Sequence, residues 1–181
     1  MNFPQLYYKR IIRYDLLNNF LFINQKKISK IKKITLNFGY KKSNFKQLIA
    51  GLLALEFISF KRGKLTKSNQ INITLKIKKG TPVGCKVVLR KNFMYLFYLK
   101  LMTSIFFRTK LSQGVALSQA SQAVNSISFK IENPLLFSEL ENQYQFFKSL
   151  PPLDITITTN STSKNELFFL LKSFKFPCVA R

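Results

Sequence analysis

The sequence predicts an α+β domain, an antiparallel sheet with helices packed on one face and the other face left polar and basic. Three observations predict it. Several short segments alternate apolar and polar residues with period two, the pattern of half-buried strands. The segments between them repeat apolar residues three and four apart, the pattern of amphipathic helices. The polar positions of the strands are mostly lysine, arginine, asparagine and threonine, in a chain with 30 Lys+Arg against 7 Asp+Glu. A sheet that is apolar on one face only is covered on that side only.

The elements follow in order. Ile12, Leu16 and Phe20 lie at helical spacing within Leu6 to Phe22, and a basic connector, Gln25 to Lys33, follows. Ile34, Leu36 and Phe38 alternate with Lys33, Thr35 and Asn37 in a strand ended by Gly39. Ser43 or Asn44 opens a helix whose inward face is predicted to be Phe45, Leu48, Ile49, Leu52 and Leu53. Lys61 to Lys64 reads as a turn or the start of a short strand through Thr66. Ile71, Ile73, Leu75 and Ile77, between Asn72, Thr74, Lys76 and Lys78, give the cleanest alternation in the chain. Lys79 to Pro82 breaks it, and Cys85, Val87 and Leu89 resume it, so these two strands are predicted to pair antiparallel. Asn92 is predicted to cap a long helix to about Arg108, and Ser112 to Ser126 reads as an extended surface loop. Ile127, Phe129 and Ile131 form a strand, and Pro134 to Pro152 is irregular with a helical turn near Glu139. Leu153, Ile155 and Ile157 form a last strand, and Ser163 caps a final helix to about Phe174 with Leu167, Leu170, Leu171 and Phe174 inward.

Residues 1–181 suit one domain with a real core, since hydrophobic residues make up 46% of the chain. The net charge of +23 is far beyond what solubility asks of a domain this size, so a polyanionic partner is implied. The charge is lopsided. Residues 1–110 carry 24 Lys+Arg and 2 Asp+Glu, whereas residues 111–181 carry 6 and 5. The anion-binding face is therefore expected in the first part, and the near-neutral second part completes the fold. The lysine runs Lys26–Lys27, Lys30, Lys32–Lys33 and Lys41–Lys42 each read alone as a solvated face; together, with few acids near, they read as phosphate contacts. Tyr7, Tyr8 and Tyr40 are candidates for stacking on bases or for plain packing.

Catalysis and metals find no support. The chain has no His, its two cysteines, Cys85 and Cys178, show no ligand spacing, and its seven acids form no obvious pair. No catalytic residue, metal site or cofactor is expected. The stretch Gly80–Arg90 has two glycines and a proline but lacks the lysine and helix of a phosphate-binding P-loop, and reads as a hairpin. The most apolar run, Phe93 to Phe107, is broken by Lys100 and is shorter than the ~20 residues of a bilayer span. An alternative reading lays that run in a membrane surface as a basic peripheral protein; the preferred reading involves no membrane.

Several motifs, in order and correctly spaced, resemble one family. Ile31-Lys32-Lys33-Ile34-Thr35-Leu36-Asn37-Phe38-Gly39 is similar to "I-x-K-I-V-L-N-M-G", and Gly80 to Arg90 is similar to "G-M-P-I-G-C-K-V-T-L-R". Met94-Tyr95-x-Phe97, Leu153 to Thr159 and Phe174-Lys175-Phe176-Pro177 resemble "M-Y-E-F", "M-D-I-T-I-V-T-T" and "F-G-F-P". These are motifs of the large-subunit ribosomal protein five family, and the resemblance covers nearly the whole chain.

The resemblance implies a non-enzymatic constituent of the large subunit's central protuberance. Its implied partners are 5S rRNA and/or large-subunit rRNA, the peptidyl-site tRNA, a small-subunit head protein and neighbouring large-subunit proteins. The implied rRNA-binding residues are Lys33, Asn37, Lys41, Lys61, Lys76, Lys78, Lys86 and Arg90. The tRNA-facing loop falls on Thr66, Lys67, Ser68, Asn69 and Gln70, and the small-subunit bridge on Arg108, Lys110, Gln113 and Gly114. Three places depart from the family. Val88 replaces a threonine, Lys61 a glutamine, and Asn69 to Ile73 a more charged stretch. No presequence stands before the first family helix, which suggests synthesis inside an organelle. The mitochondrial matrix is preferred to the plastid because the chain departs so far from bacterial patterns. The wealth of Phe, Ile, Lys and Asn fits an A/T-rich genome.

Overall fold

The computed structural model describes residues 3–20, 22, 24, 27–40, 44–106, 115–116 and 124–179, with backbone only at 115–116 and 178–179. Its main sheet has five antiparallel strands: β1 (Ile31–Gly39), β2 (Lys64–Lys67), β3 (Pro82–Leu89), β5 (Ser126–Ile131) and β6 (Leu153–Thr159). They lie in the order β2-β3-β1-β6-β5. A short strand β4 (Val115–Ala116) pairs in parallel with β7 (Cys178–Val179). The chain forms two compact units, Met1–Ile34 with Arg90–Phe129 and Thr156–Arg181, and Thr35–Leu89 with Lys130–Ile155. Strands β1, β5 and β6 each run from one unit into the other.

In the first unit the N-terminal helix is α1 (Phe3–Tyr7), a π-helical turn over Tyr8–Ile12, and α2 (Arg13–Asn19). Ile12 and Leu16 are fully buried, as their spacing predicts. Helix α4 (Lys91–Lys100) continues as a π-helical segment over Leu101–Phe106. Its N-cap is Arg90, not the predicted Asn92. It buries Met94, Tyr95, Phe97, Tyr98, Leu101, Ile105 and Phe106. Helix α7 (Lys164–Ser173) buries Leu167, Leu170 and Leu171 as predicted. Aromatic side chains tie these pieces together. The ring of Phe174 stacks on Tyr8 at 6.1 Å and meets Tyr98 edge-on at 5.5 Å. The Tyr98 hydroxyl donates to the Phe174 carbonyl at 3.0 Å. Phe176 meets Phe106 and Phe129 at 5.2 and 5.5 Å.

The first unit also buries an acid. Glu166, in the first turn of α7, is 9% exposed. Its carboxylate accepts from Ser29 Oγ at 2.8 Å, Thr162 N at 3.1 Å and Thr162 Oγ1 at 2.9 Å. Ser163 caps the helix by accepting the Glu166 amide at 3.2 Å. Burial alone pushes this carboxyl up, but the donors from Thr162, Ser29 and Ser163 outweigh it and hold the group below its ordinary 4.5. These bonds fix the segment before β1, because Asn160 also grips it: Asn160 Oδ1 accepts the Lys30 amide at 2.6 Å and its Nδ2 donates to the Ile28 carbonyl at 3.1 Å.

In the second unit, helix α3 (Phe45–Ser59) buries Leu48, Gly51, Ala54, Leu55, Ile58 and Ser59. The predicted inward face is thus partly wrong. Phe45, Ile49 and Leu53 are exposed, and with Phe57 they form a solvent-side row four residues apart. Periodicity marks two apolar rows on such a helix, and small residues (Gly51, Ala54) decide which can approach the strands. Two short helices, α5 (Ser138–Glu141) and α6 (Tyr144–Phe147), break up the segment expected to be irregular. Phe147 packs edge-on against Phe57 at 6.0 Å.

The predicted strand Ile71–Ile77 does not form. The partner of β3 is β2, with Lys64 opposite Lys86, Leu65 opposite Cys85 and Thr66 opposite Gly84. Residues 68–81 are instead a projecting loop closed by Asn72 and Ile77, which exchange backbone hydrogen bonds of 3.0 and 2.9 Å. Asn72 Oδ1 accepts the Leu75 amide at 3.2 Å, and Lys76 takes a left-handed φ of 54° to close the tip. Ile73 is 86% exposed. Gly84 explains the tight β1–β3–β2 packing. A Cβ there would sit 2.6 Å from the Phe38 carbonyl oxygen and 2.7 Å from Thr66 Oγ1.

Two outcomes follow for stability. Gly84→Ala should push backbone against backbone and cost about 2 kcal/mol or more, read as a lowered urea midpoint. Glu166→Gln should cost about 1–3 kcal/mol at neutral pH. Because the folded carboxyl lies below its unfolded value, its contribution is complete above the ordinary carboxylate range and disappears as pH falls through the lowered value. Urea melts at pH 7 and pH 3 should therefore show the wild type losing more stability on acidification than the variant.

Candidate nucleic-acid interface

The burial of the strands sorts their side chains. β1 alternates from Ile34, Leu36 and Phe38, all buried, to Thr35 and Asn37, half-buried on the other face. β6 does the same, with Asp154, Thr156 and Thr158 outward. β3 buries Cys85, Val87 and Leu89 and exposes Lys86.

In the second unit the polar face carries Asn37, Thr66, Lys64 and Lys86. Lys64 and Lys86 lie directly across the β2–β3 ladder from each other and both are exposed. Like charges in that position repel. No ion pair among the described residues relieves them; the Lys130–Asp154 pair at 3.7 Å involves other groups. The nearest acid on α3, Glu56, is already engaged, its Oε1 accepting the Gly63 amide at 3.2 Å. Lys61 holds the end of this strand pair, donating from Nζ to the Val88 carbonyl at 2.9 Å.

In the first unit, Lys32, Lys33, Arg90, Asn125, Thr158 and Thr159 line an open-mouthed cavity of about 470 Å³. The β1 alternation slips at its start. Ile31 and Ile34 are both buried, so neither Lys32 nor Lys33 is held inward. Arg90 joins them at the junction of β3 and α4. The next residue, Lys91, has φ +53°, the left-handed region that a lysine enters only at a cost.

The predicted site residues therefore divide. Lys33, Asn37, Lys86 and Arg90 sit on polar strand faces or at a strand end. Lys61 is exposed but serves as a strand clamp. Lys76 and Lys78 are corrected: they belong to the 68–81 loop, because the strand that would have aligned them with the sheet is absent. Thr66 and Lys67 end β2, and Ser68, Asn69 and Gln70 begin the loop, where Ser68 N donates to the Thr81 carbonyl at 2.9 Å. Lys41, Arg108, Lys110, Gln113 and Gly114 lie outside the described residues, as does most of the predicted 112–126 loop. Sequence reasoning missed Lys64, Asn125 and Thr158, and it placed Lys32 only within a lysine run. The three-residue spacing from Ile31 to Ile34 was the available signal that Lys32 shares the open side with Lys33.

The tyrosines are structural. Tyr8 donates to the Ser29 carbonyl at 3.0 Å, and its hydroxyl is pushed up to about 12, chiefly by burial. Tyr40 donates to the Gln47 carbonyl at 2.8 Å and is also raised by burial. Its hydroxyl sits where a Cβ at residue 51 would be, which explains Gly51. The Cys85 thiol is free and buried, raised to about 11 by burial, and faces the Leu48 carbonyl at 3.4 Å. A neutral, buried thiol is a packing group. Among the described residues no three His, Cys, Asp or Glu side chains gather as a metal site, and no helix is long and apolar enough to cross a membrane. The run Phe93–Phe107 spends most of its apolar surface in the core, which leaves the membrane-surface alternative little to insert.

Comparison with known proteins agrees with this geometry. The ribosomal L5 family C-terminus matches residues 82–178. The large ribosomal subunit protein uL5m of Reclinomonas americana is 34% identical over 179 residues, covering 98% of each chain. The chain belongs to the uL5 family. Other uL5 members are similar over nearly their full length, that of Wigglesworthia glossinidia brevipalpis at 34% identity (96% of this chain, 98% of the relative) and that of Blochmanniella floridana at 32% (94% and 90%). The uL5 family is structural and non-enzymatic, as the absence of a catalytic constellation in the sequence predicts.

The left-handed Lys91 gives a check on this interface. Lys91→Gly should relieve the backbone strain and raise Tm by about 2–4 °C, the equivalent of roughly 1 kcal/mol for a chain of this size. Thermal melts of the two proteins decide it.

Proposed function

We propose that this uL5 protein is a structural part of the mitochondrial large ribosomal subunit that holds rRNA against its polar strand faces. The observation that carries the reading is the lysine pair Lys64–Lys86, opposed across a ladder with no acid to separate them. Such a pair costs the isolated fold and is useful once phosphates lie over it. The likeness to the Reclinomonas americana uL5m protein supports the organelle.

The family resemblance makes the partner 5S rRNA and/or large-subunit rRNA in the central protuberance, with Asn37 and Lys86 as contacts. It also directs the 68–81 loop at the elbow of the peptidyl-site tRNA, and assigns a contact with a small-subunit head protein. The loop's form suits reach: it projects beyond β2 and β3, and its tip is closed by its own hydrogen bonds. Its apolar tip residues, Ile71, Ile73 and Leu75, are exposed. They offer stacking or methyl contacts where the family carries charge.

One substitution tests the RNA reading with two signs at once. Lys64→Glu places an acid opposite Lys86 and should stabilise the free protein by about 0.2–1 kcal/mol. The same change should weaken binding to large-subunit rRNA and flatten the salt dependence, since at least one phosphate goes unneutralised. Urea melts and filter binding across a KCl series measure the two. A variant that is both more stable and equally tight on RNA would refute the role given to this face.

A further inference from the structure

The cavity of the first unit combines features that a flat basic face does not need. Its three cations, Lys32, Lys33 and Arg90, come from one end of β1 and the end of β3, and no side-chain hydrogen bond or ion pair among the described residues engages them. Among the described residues, no acid lines it. A free phosphate fills only a fraction of 470 Å³. The remaining wall is polar and neutral. Thr158 points outward from β6, and Asn125 stands at the start of β5. The backbone beneath Asn125 is held firmly, its carbonyl accepting from Thr159 N at 2.8 Å and Thr159 Oγ1 at 3.0 Å. Thr159 Oγ1 also lies 2.8 Å from Ser161 Oγ, so the floor is spoken for while the Asn125 amide is not. The approach of β1 is fixed as well, through Asn160 and the Ser29–Glu166 bond. The cations thus stand on a pre-organised rim.

We propose that this cavity seats a single nucleotide of the bound RNA. Its phosphodiester lies among Lys32, Lys33 and Arg90, and its ribose and base edge face the Thr158 hydroxyl and the Asn125 amide. The inference rests on the RNA-binding reading above and deepens it: charge on the strand faces holds any RNA, whereas this cavity selects a strand position where one nucleotide stands clear of its neighbours. The strain at Lys91 fits such a site, since it sets the turn that brings Arg90 to the rim.

The experiment separates the cavity from the general reading. The full chain is titrated with rRNA extracted from the organelle's large subunit, by filter binding over a KCl series. Thr158→Val and Asn125→Ala change no charge. Each should weaken binding about threefold to tenfold, the range of one missing hydrogen bond, and leave the salt slope unchanged. Lys32→Gln with Lys33→Gln should weaken it further and reduce the slope by about 0.7 for each single-strand phosphate no longer neutralised. Lys86→Gln, in the other unit, is the control for the general reading. If Lys86→Gln and the lysine pair weaken binding but the neutral variants do not, the cavity is only part of a diffuse cationic face and the proposal fails while the reading survives. If Lys86→Gln and all the cavity variants bind like wild type, the reading itself fails. Inorganic phosphate and adenosine monophosphate are run as separate arms by calorimetry. Tight binding of either that rRNA does not displace would make this a free-anion or free-nucleotide site and overturn the proposal. Thermal melts confirm that each variant is folded, and Thr158→Val keeps the β-branched shape that the strand requires.

Discussion

A lysine opposite another lysine on an antiparallel ladder repels it, and the fold must carry that repulsion from its other face. Lys64 and Lys86 stand in this relation, while the residues beside Lys86 on the reverse of β3, Cys85 and Val87, are fully buried. The strand is therefore pinned by its apolar side and loaded on its polar side. The same division holds for β1, where Leu36 and Phe38 are fully buried and Thr35 and Asn37 face outward. Coulomb repulsion at an exposed site is worth tenths of a kcal/mol per pair, and burying a large apolar side chain is worth about 1.5–3 kcal/mol. The core wins by a wide margin, which is how the chain tolerates a net charge of +23.

The few acids sharpen that imbalance. Glu166 is committed to Ser29 and Thr162, Glu56 to the Gly63 amide, and Asp154 to Lys130. Three of the seven acids thus perform local structural work and screen neither Lys64–Lys86 nor the Lys32–Lys33–Arg90 rim. Glu166 is the most telling. It sits in the near-neutral part of the sequence, yet its bond to Ser29 fixes the chain just ahead of the most basic strand. The near-neutral part thereby positions the basic part, a role that net charge alone does not reveal.

Much of this was legible in the sequence, because alternation and helical spacing report directly on burial. β1, β5, β6 and α7 formed where the pattern placed them, with Leu167, Leu170, Leu171 and Phe174 inward. The pattern failed where alternation had no strand to pair with. Ile71 to Ile77 has the best period in the chain, but Lys64–Lys67 holds the edge of β3, and the intervening residues close on themselves through Asn72 and Ile77. Period two reports which side chains share a face of an extended chain; it does not report whether a neighbour donates hydrogen bonds. The α3 face failed for a related reason. Phe45, Ile49 and Leu53 are more apolar than Gly51 and Ala54, but close approach to the sheet favours the smaller residues. The first-unit cavity was illegible because Asn125, Thr158 and Lys32 are far apart in sequence and meet only through strand order.

Among the described residues, three of the four non-glycine positions with left-handed backbone are lysines: Lys76, Lys91 and Lys175. Each such conformation costs on the order of 1 kcal/mol that glycine would not, and the chain contains only six glycines. A free protein selected for stability alone has no reason to keep lysine there. A protein that works only in contact with a polyanion has one. Binding to the folded form stabilises it in proportion to the logarithm of ligand excess over Kd, several kcal/mol for a tight complex. Strain at Lys91 and repulsion between Lys64 and Lys86 are then small beside the free energy of binding. Both belong to the same design: a fold whose apolar face is sufficient to hold its shape, and whose polar face reaches its lowest free energy only when phosphate lies against it.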